Sequence, residues 1–165
     1  ALTEMEKHAS GKTLALCRLA HATLAYEKFD KTLDTESLEA CQRLCAEIKS
    51  RSDITNRSWT KGAAALVLAT TLAHDGQYKQ SYSICVDALR DFDMKPCCRD
   101  CQLFWEAFCK RHLSMVLTLE QSLRLYAAMA LLMDNPKADI SKFTDNMPKE
   151  AMERIQILSS LLQRQ

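Results

Sequence analysis

The chain has 165 residues, and its 22 lysines and arginines balance 21 aspartates and glutamates to give a net charge of +1. Because no run of five like charges interrupts this balance, the chain lacks the clustered cations that nucleic-acid binding requires, and we expect no nucleic acid partner. The longest uncharged apolar runs, Gly62 to Ala73 and Leu125 to Met133, are shorter than the roughly 20 residues that span a bilayer, so we expect no membrane span.

Glycine and proline are scarce, at three residues each, while apolar residues make up 47% of the chain. So few helix breakers over this length favour long helices over a sheet with many turns. The length is that of one domain with a proper core. We therefore predict a single all-α domain over residues 1–165, with about seven helices.

Two helices open the chain. The first is predicted over residues 3–33, with an irregularity at Ser10-Gly11. The second is predicted over Glu36 to Ser50, behind the candidate caps Asp34 and Thr35. Both carry apolar residues at helical spacing, namely Leu14, Cys17 and Leu24 in the first and Leu38, Cys41, Leu44, Cys45 and Ile48 in the second.

The central stretch, Gly62 to Pro96, predicts two helices joined by a tight turn at His74-Asp75-Gly76. The first of these helices is apolar almost all round, so it must be buried between other helices. The second has a single apolar face with the 3.6-residue period of a helix. Its members are Tyr78, Ser81, Ile84, Cys85, Ala88, Leu89 and Phe92.

This stretch resembles the tetratricopeptide repeat (TPR), a pair of antiparallel helices of about 34 residues. The resemblance is carried by Leu68, Ala69, Leu72, Gly76, Tyr78, Ser81, Ala88, Leu89 and Pro96. Small residues at 69, 81 and 88 would let the helices approach closely, whereas Ala65 and Cys85 depart from the aromatic and the large residue of the pattern. The resemblance covers one unit, and no second copy of the pattern lies at a shift of about 34 residues in either direction. It implies antiparallel hairpins stacked as a TPR-like α-solenoid or as a compact bundle.

The resemblance also implies a function, because repeats of this family are protein-binding scaffolds. The ligand-facing residues that it implies, all on the first helix of the hairpin, are Ala63, Leu66, Thr70, Ala73 and His74. Some members bind a peptide carboxylate with a lysine and an asparagine near these places. Because Leu66 and Thr70 depart from that pair, an apolar or helical ligand is implied instead.

The helix after Pro96 is predicted over Cys97 to Leu113 and is the most aromatic of the chain. Phe104 and Phe108, four residues apart, share a face and are predicted to lie in the core. Trp105 points partly elsewhere, so we predict it as a partner-binding residue at an interface.

Two further helices are predicted towards the end of the chain. Thr118 and Gln121 have the spacing of a capping box, and the helix that they open ends at Asn135-Pro136. Residues 137–147 are predicted to be a polar connector. Pro148 then opens the last helix, which either caps the stack or packs on another chain.

Eight cysteines allow either a disulfide framework or free core thiols. Four of them lie in predicted apolar stripes, which favours thiols in the core. Cys98-x-x-Cys101 and Cys109-x-x-His112 have spacings typical of zinc ligands, but one continuous helix would separate Cys101 from Cys109 by roughly 12 Å. We therefore predict no metal site. Cys97 and Cys98, at a helix start, are the candidate reactive thiols.

No catalytic motif or cofactor loop is present, and we expect neither enzyme activity nor a cofactor. The prediction is an adaptor in the reducing cytoplasm or nucleus that binds a peptide or helix of another protein, alone or within a homo- or hetero-oligomer. The alternative is a secreted helical-bundle signalling or effector protein with disulfides, which would also use the glycosylation tripeptide at Asn56. A cysteine-dependent enzyme is a third hypothesis.

Overall fold

A computed structural model of the protein describes residues 11–96 and 98–164. These residues form eight α-helices and no strand, which confirms the all-α class. A π-helical turn, Cys109–Leu113, continues the fifth of these helices. The helices are α1 Gly11–Thr32, α2 Thr35–Ser50, α3 Trp59–His74, α4 Tyr78–Asp91, α5 Arg99–Phe108, α6 Leu119–Asp134, α7 Ser141–Thr144 and α8 Lys149–Gln163.

Local capping explains where several helices begin. The Asp34 carboxylate accepts a hydrogen bond from the backbone N–H of Glu36 at 3.2 Å, as the sequence predicted for the start of α2. The capping box at α6 is also confirmed, because Thr118 Oγ1 accepts from Gln121 N at 3.1 Å and Gln121 Oε1 accepts from Thr118 N at 3.0 Å. The part of the first predicted helix before Gly11 lies outside the described residues.

The long helices pack as two layers. Helices α1, α3 and α6 lie side by side, since α3 contacts both α1 and α6. Helix α2 packs against α1 and α3, and α4 packs against α3 and α6, so these two form the second layer. Helix α8 packs on α6. Because α1 and α2, like α3 and α4, are joined by two or three residues, each pair is an antiparallel hairpin.

Helix α3 lies in the middle of the first layer and contacts both helices of the second, and twelve of its 16 residues are buried. Small side chains allow its close packing. Ser81 of α4 is fully buried and donates its hydroxyl to the carbonyl of Ala69 at 2.8 Å. A Cβ at Gly62 would lie 3.1 Å from Leu119 Cδ2 and 3.3 Å from Phe92 Cβ, so only glycine fits there without a shift of these neighbours. The predicted burial of α3 is confirmed.

One helix was not predicted. The segment 137–147, expected to be a polar connector, contains the one-turn helix α7, which contacts α6. Its Phe143 is 5% exposed and packs edge-on against Tyr82 of α4 at 5.9 Å between ring centroids. A periodic signal needs several apolar residues at regular spacing, and one aromatic residue in a polar stretch does not provide it. The sequence therefore carried no indication that Phe143 is buried.

Candidate functional site

Three of the predicted ligand-facing residues belong to the core. Ala63 and Leu66 are 0% exposed and Thr70 is 1% exposed. The Thr70 hydroxyl donates to the carbonyl of Val67 within the same helix at 2.8 Å. Helices on both sides cover α3, and these side chains consequently offer no surface to a partner in this conformation.

Ala73 and His74, the remaining predicted residues of α3, lie in its last turn. His74 is exposed, but its ring also joins α3 to α1, with Nε2 3.1 Å from the Tyr26 hydroxyl and Nδ1 3.4 Å from Asp30 Oδ1. Thr70, Ala73 and His74 all line a small cavity of about 250 Å³ beside Tyr126. The structure therefore brings three predicted residues together, at the end of α3 and not along its length.

Trp105, the sixth predicted residue, is 4% exposed. Its indole N–H donates to the carbonyl of Leu117 at 2.8 Å. Its ring stacks on Phe108 at 5.2 Å between centroids and packs edge-on against Trp59 of α3 at 5.7 Å. A side chain with these neighbours is a core anchor that fixes α5, so the expectation of a partner contact at Trp105 is not met in this conformation.

Helix α5 covers part of the first layer, where the resemblance implied a bound partner. Trp105 of α5 packs on Trp59, the first residue of α3. The π-helical turn after α5 contacts α1 through His112, whose Nε2 lies 3.2 Å from Glu27 Oε1. Arg154 of α8 holds the same turn by donating to the carbonyl of Leu113 at 2.7 Å. The chain therefore packs one of its own helices on this layer.

His112 should make the attachment of α5 sensitive to pH. Burial lowers the pKa of His112 below its usual value of about 6.5, and the charge of Glu27 opposes this only in part. Between the folded and unfolded pKa values the unfolded chain binds more protons, so stability is expected to fall as the pH drops through about 6.5. Urea unfolding of the wild type and His112→Gln between pH 5 and 7.5 measures this effect. The same change of unfolding free energy with pH in both proteins would contradict it.

A different surface has the properties of a binding site. A groove of about 430 Å³, which we call the α1–α5 groove, lies between these helices, and the apolar residues of its lining include Leu16, Ala20 and Phe104. Leu24 follows Ala20 by one helical turn on α1 and is 48% exposed, and Leu103 of α5 is 50% exposed. Lys12 and Asp100 add one charge of each sign to the lining.

Sequence reasoning missed this groove, although α1 carried a signal for it. The core side of α1 is made of Ala15, Leu19, Ala22 and Tyr26, all at most 5% exposed. Leu16, Ala20 and Leu24 are apolar residues at the same helical spacing on another face. A helix with a second apolar face has more apolar surface than one neighbouring layer covers.

The four residues with the spacing of zinc ligands contact different groups in the structure. Cys98 Sγ lies 3.4 Å from Cys101 Sγ, whereas the Cys109 thiol lies 3.5 Å from the carbonyl of Leu117 and His112 contacts Glu27. Within residues 11–96 and 98–164, no group of three or more histidine, cysteine, aspartate or glutamate side chains could hold a metal ion.

Most described cysteines are buried thiols. Cys17, Cys41, Cys45, Cys85 and Cys109 are at most 4% exposed. Burial raises the pKa of the Cys85 thiol to about 12, and it also raises the pKa of Cys109. Because the thiolate is the nucleophile, such raised pKa values make Cys85 and Cys109 poor candidates for a catalytic cysteine.

Comparisons with protein-family models, with curated proteins and with solved structures gave no match for this chain. Among the described residues, no helix combines the length and the apolar character that crossing a membrane requires.

Proposed function

We propose that this chain is a non-catalytic protein-interaction module that binds an amphipathic helix of another protein in the α1–α5 groove. The observation that carries the proposal is the groove itself, whose walls are mainly apolar. Each of its two helices also carries a half-exposed leucine outside the groove lining, Leu24 on α1 and Leu103 on α5. Exposed apolar surface of this kind commonly marks a site of protein interaction.

The shape of the groove favours a helix as its occupant. Its walls are two helices, and the ridges of a third helix fit the furrow between two others. Leu16 and Ala20 lie four residues apart on α1, the spacing with which a partner helix would present apolar residues of its own. Lys12 and Asp100 suit a partner with charges of both signs beside its apolar stripe.

The state of the cysteines supports a reducing compartment, the cytoplasm or nucleus, for this interaction. Six described cysteines pack in the interior as thiols, where they act as small apolar side chains. A secreted protein of this size would be expected to join such residues in disulfides.

Selection from a displayed library of helical peptides, with the reduced full chain as bait, tests this function. We expect enrichment of amphipathic sequences with apolar residues at i, i+3 and i+4. The groove variant is Ala20→Arg, because Ala20 is half-buried in a groove wall and a long cation there would fill the space without entering the core. Binding of the enriched peptides should weaken by about tenfold or more, the typical cost of losing a central interface contact.

The matched control is Ile157→Arg, which places the same cation on α8 at a residue that is 63% exposed. This variant should bind the peptides as the wild type does. Peptides that bind Ala20→Arg and the wild type equally, while Ala20→Arg keeps its far-UV circular dichroism, would show that the groove is not the binding site. A library from which no peptide is enriched would count against the function itself.

A further inference from the structure

Two thiols meet at the start of α5. Cys98 is the N-cap residue of this helix and is exposed, while Cys101 is its third residue and is 2% exposed. The Cys98 thiol lies 3.4 Å from Cys101 Sγ, close enough for a hydrogen bond between the sulfur atoms. This pair is therefore half open to solvent and half enclosed.

The position on the helix explains why the sulfurs are close. Side chains of the N-cap and third helical residues lie near each other, as they do in a capping box. A disulfide needs a sulfur separation of about 2.05 Å, so the two atoms would have to approach by about 1.4 Å, which small side-chain rotations can supply. The N-terminal end of a helix carries a partial positive charge, which stabilises a thiolate when it forms at the N-cap residue Cys98.

The protein contains a second close pair of thiols, which lies within α2 and is buried. Cys41 and Cys45 of α2 share a hydrogen bond, and they are 0% and 3% exposed. Burial of both thiols denies a soluble oxidant access to this pair. The two pairs therefore form a natural comparison between a reachable and an unreachable dithiol.

We infer that Cys98 and Cys101 form a redox-active dithiol that exchanges with low-molecular-weight disulfides of the glutathione class. The Cys98 thiolate attacks one sulfur of glutathione disulfide, which forms a mixed disulfide and releases the first glutathione as a thiolate. The Cys101 thiolate then attacks the Cys98 sulfur and releases the second glutathione. The two protons of the protein thiols pass to the two glutathione thiolates, so one disulfide is reduced as one is formed.

The surroundings leave room for the mixed disulfide. Cys98 and Cys101 both line the α1–α5 groove, whose volume of about 430 Å³ lies within the range of small-molecule sites. Lys12 in the same lining offers a cation for a glutathione carboxylate, although Asp100 partly offsets its charge. The inference does not depend on a protein partner in the groove, because it concerns the thiols alone.

Thiol trapping in glutathione buffers tests the inference. The full chain is equilibrated at graded ratios of glutathione disulfide to glutathione, quenched with acid, alkylated and digested with trypsin. Every protein carries Cys97→Ser, so that Cys98 is the only cysteine between Arg90 and Arg99. A Cys98–Cys101 disulfide then joins two tryptic peptides, and fragmentation distinguishes Cys101 from Cys109.

We expect the Cys98–Cys101 link to exceed a Cys41–Cys45 link by about tenfold or more at ratios where Cys41 and Cys45 are still alkylated. Cys101→Ser should stop the reaction at the mixed disulfide on Cys98, and Cys98→Ser should leave Cys101 as a thiol. A protein with both cysteines that accumulates only the mixed disulfide would overturn the inference. So would equal oxidation of the two pairs. Peptide binding is measured with the reduced protein, so its outcome does not depend on whether this disulfide forms. A negative result in one experiment therefore leaves the other proposal unaffected.

Discussion

Replacement of Trp105 by alanine is expected to lower the free energy of unfolding by about 3–5 kcal/mol, as for other buried tryptophans. The side chain is 4% exposed and packs on Trp59 and Phe108, so its removal opens a cavity beside these two rings. The change also leaves the carbonyl of Leu117 without the indole N–H that it accepts at 2.8 Å. Urea unfolding followed by circular dichroism measures the loss.

Trp105→Phe divides this effect into its parts. Phenylalanine keeps an aromatic ring near Trp59 and Phe108 but cannot donate to Leu117, so the expected loss is smaller, about 1–3 kcal/mol. A loss below about 0.5 kcal/mol for the alanine variant is typical of a surface residue and would restore Trp105 as an interface candidate.

The helices were predictable because their signals are local. The period of apolar residues, the Asp34 cap and the Thr118 capping box each act within a few residues of sequence. The placement of α5 was not predictable in this way. An apolar face shows that some neighbour must cover a helix, but it does not identify which neighbour. The sequence pattern around Trp105 was therefore as compatible with an interface as with the core.

Helix α3 illustrates a conflict between two lines of sequence reasoning. Its apolar character on all sides predicted burial, which is correct, with Leu66 and Thr70 at most 1% exposed. The family resemblance instead implied that these same residues face a ligand. A first helix of a hairpin can face a ligand only if nothing else covers it, and the coverage of α3 is fixed by long-range packing that periodicity does not encode.

The groove between α1 and α5 combines both kinds of information. Its α1 wall, with Leu16 and Ala20, follows from the spacing of apolar residues in one helix. Its other wall depends on where α5 packs, and this is set by distant contacts such as that of His112 with Glu27. The sequence could therefore predict the apolar residues of one wall of this groove, but it could not predict that α1 and α5 lie beside each other.

Leu66→Asp is expected to remove at least about 4 kcal/mol from the free energy of unfolding. Leu66 is 0% exposed at the middle of α3, which is packed against α1, α2, α4 and α6. The substitution deletes buried apolar volume and places a carboxyl group in the core, where it loses contact with water and gains no matching hydrogen-bond partner. Since domains of this size are stable by about 5–15 kcal/mol, such a loss is a large share of the total, and the urea midpoint of the variant should fall accordingly.

The control for Leu66→Asp is Ile157→Asp, the same acidic side chain introduced at an apolar residue of α8 that is 63% exposed. Its effect should stay within about 0.5 kcal/mol, because the carboxylate remains in water. Urea unfolding of both variants gives the comparison, with the slope against denaturant as a check that the transition remains two-state. Similar small losses in both would mean that Leu66 is accessible after all, and the ligand-facing role implied by the family resemblance would then deserve renewed tests. A large loss at Leu66 alone fixes α3 as the interior of the fold and leaves the α1–α5 groove as the surface on which a partner should be sought.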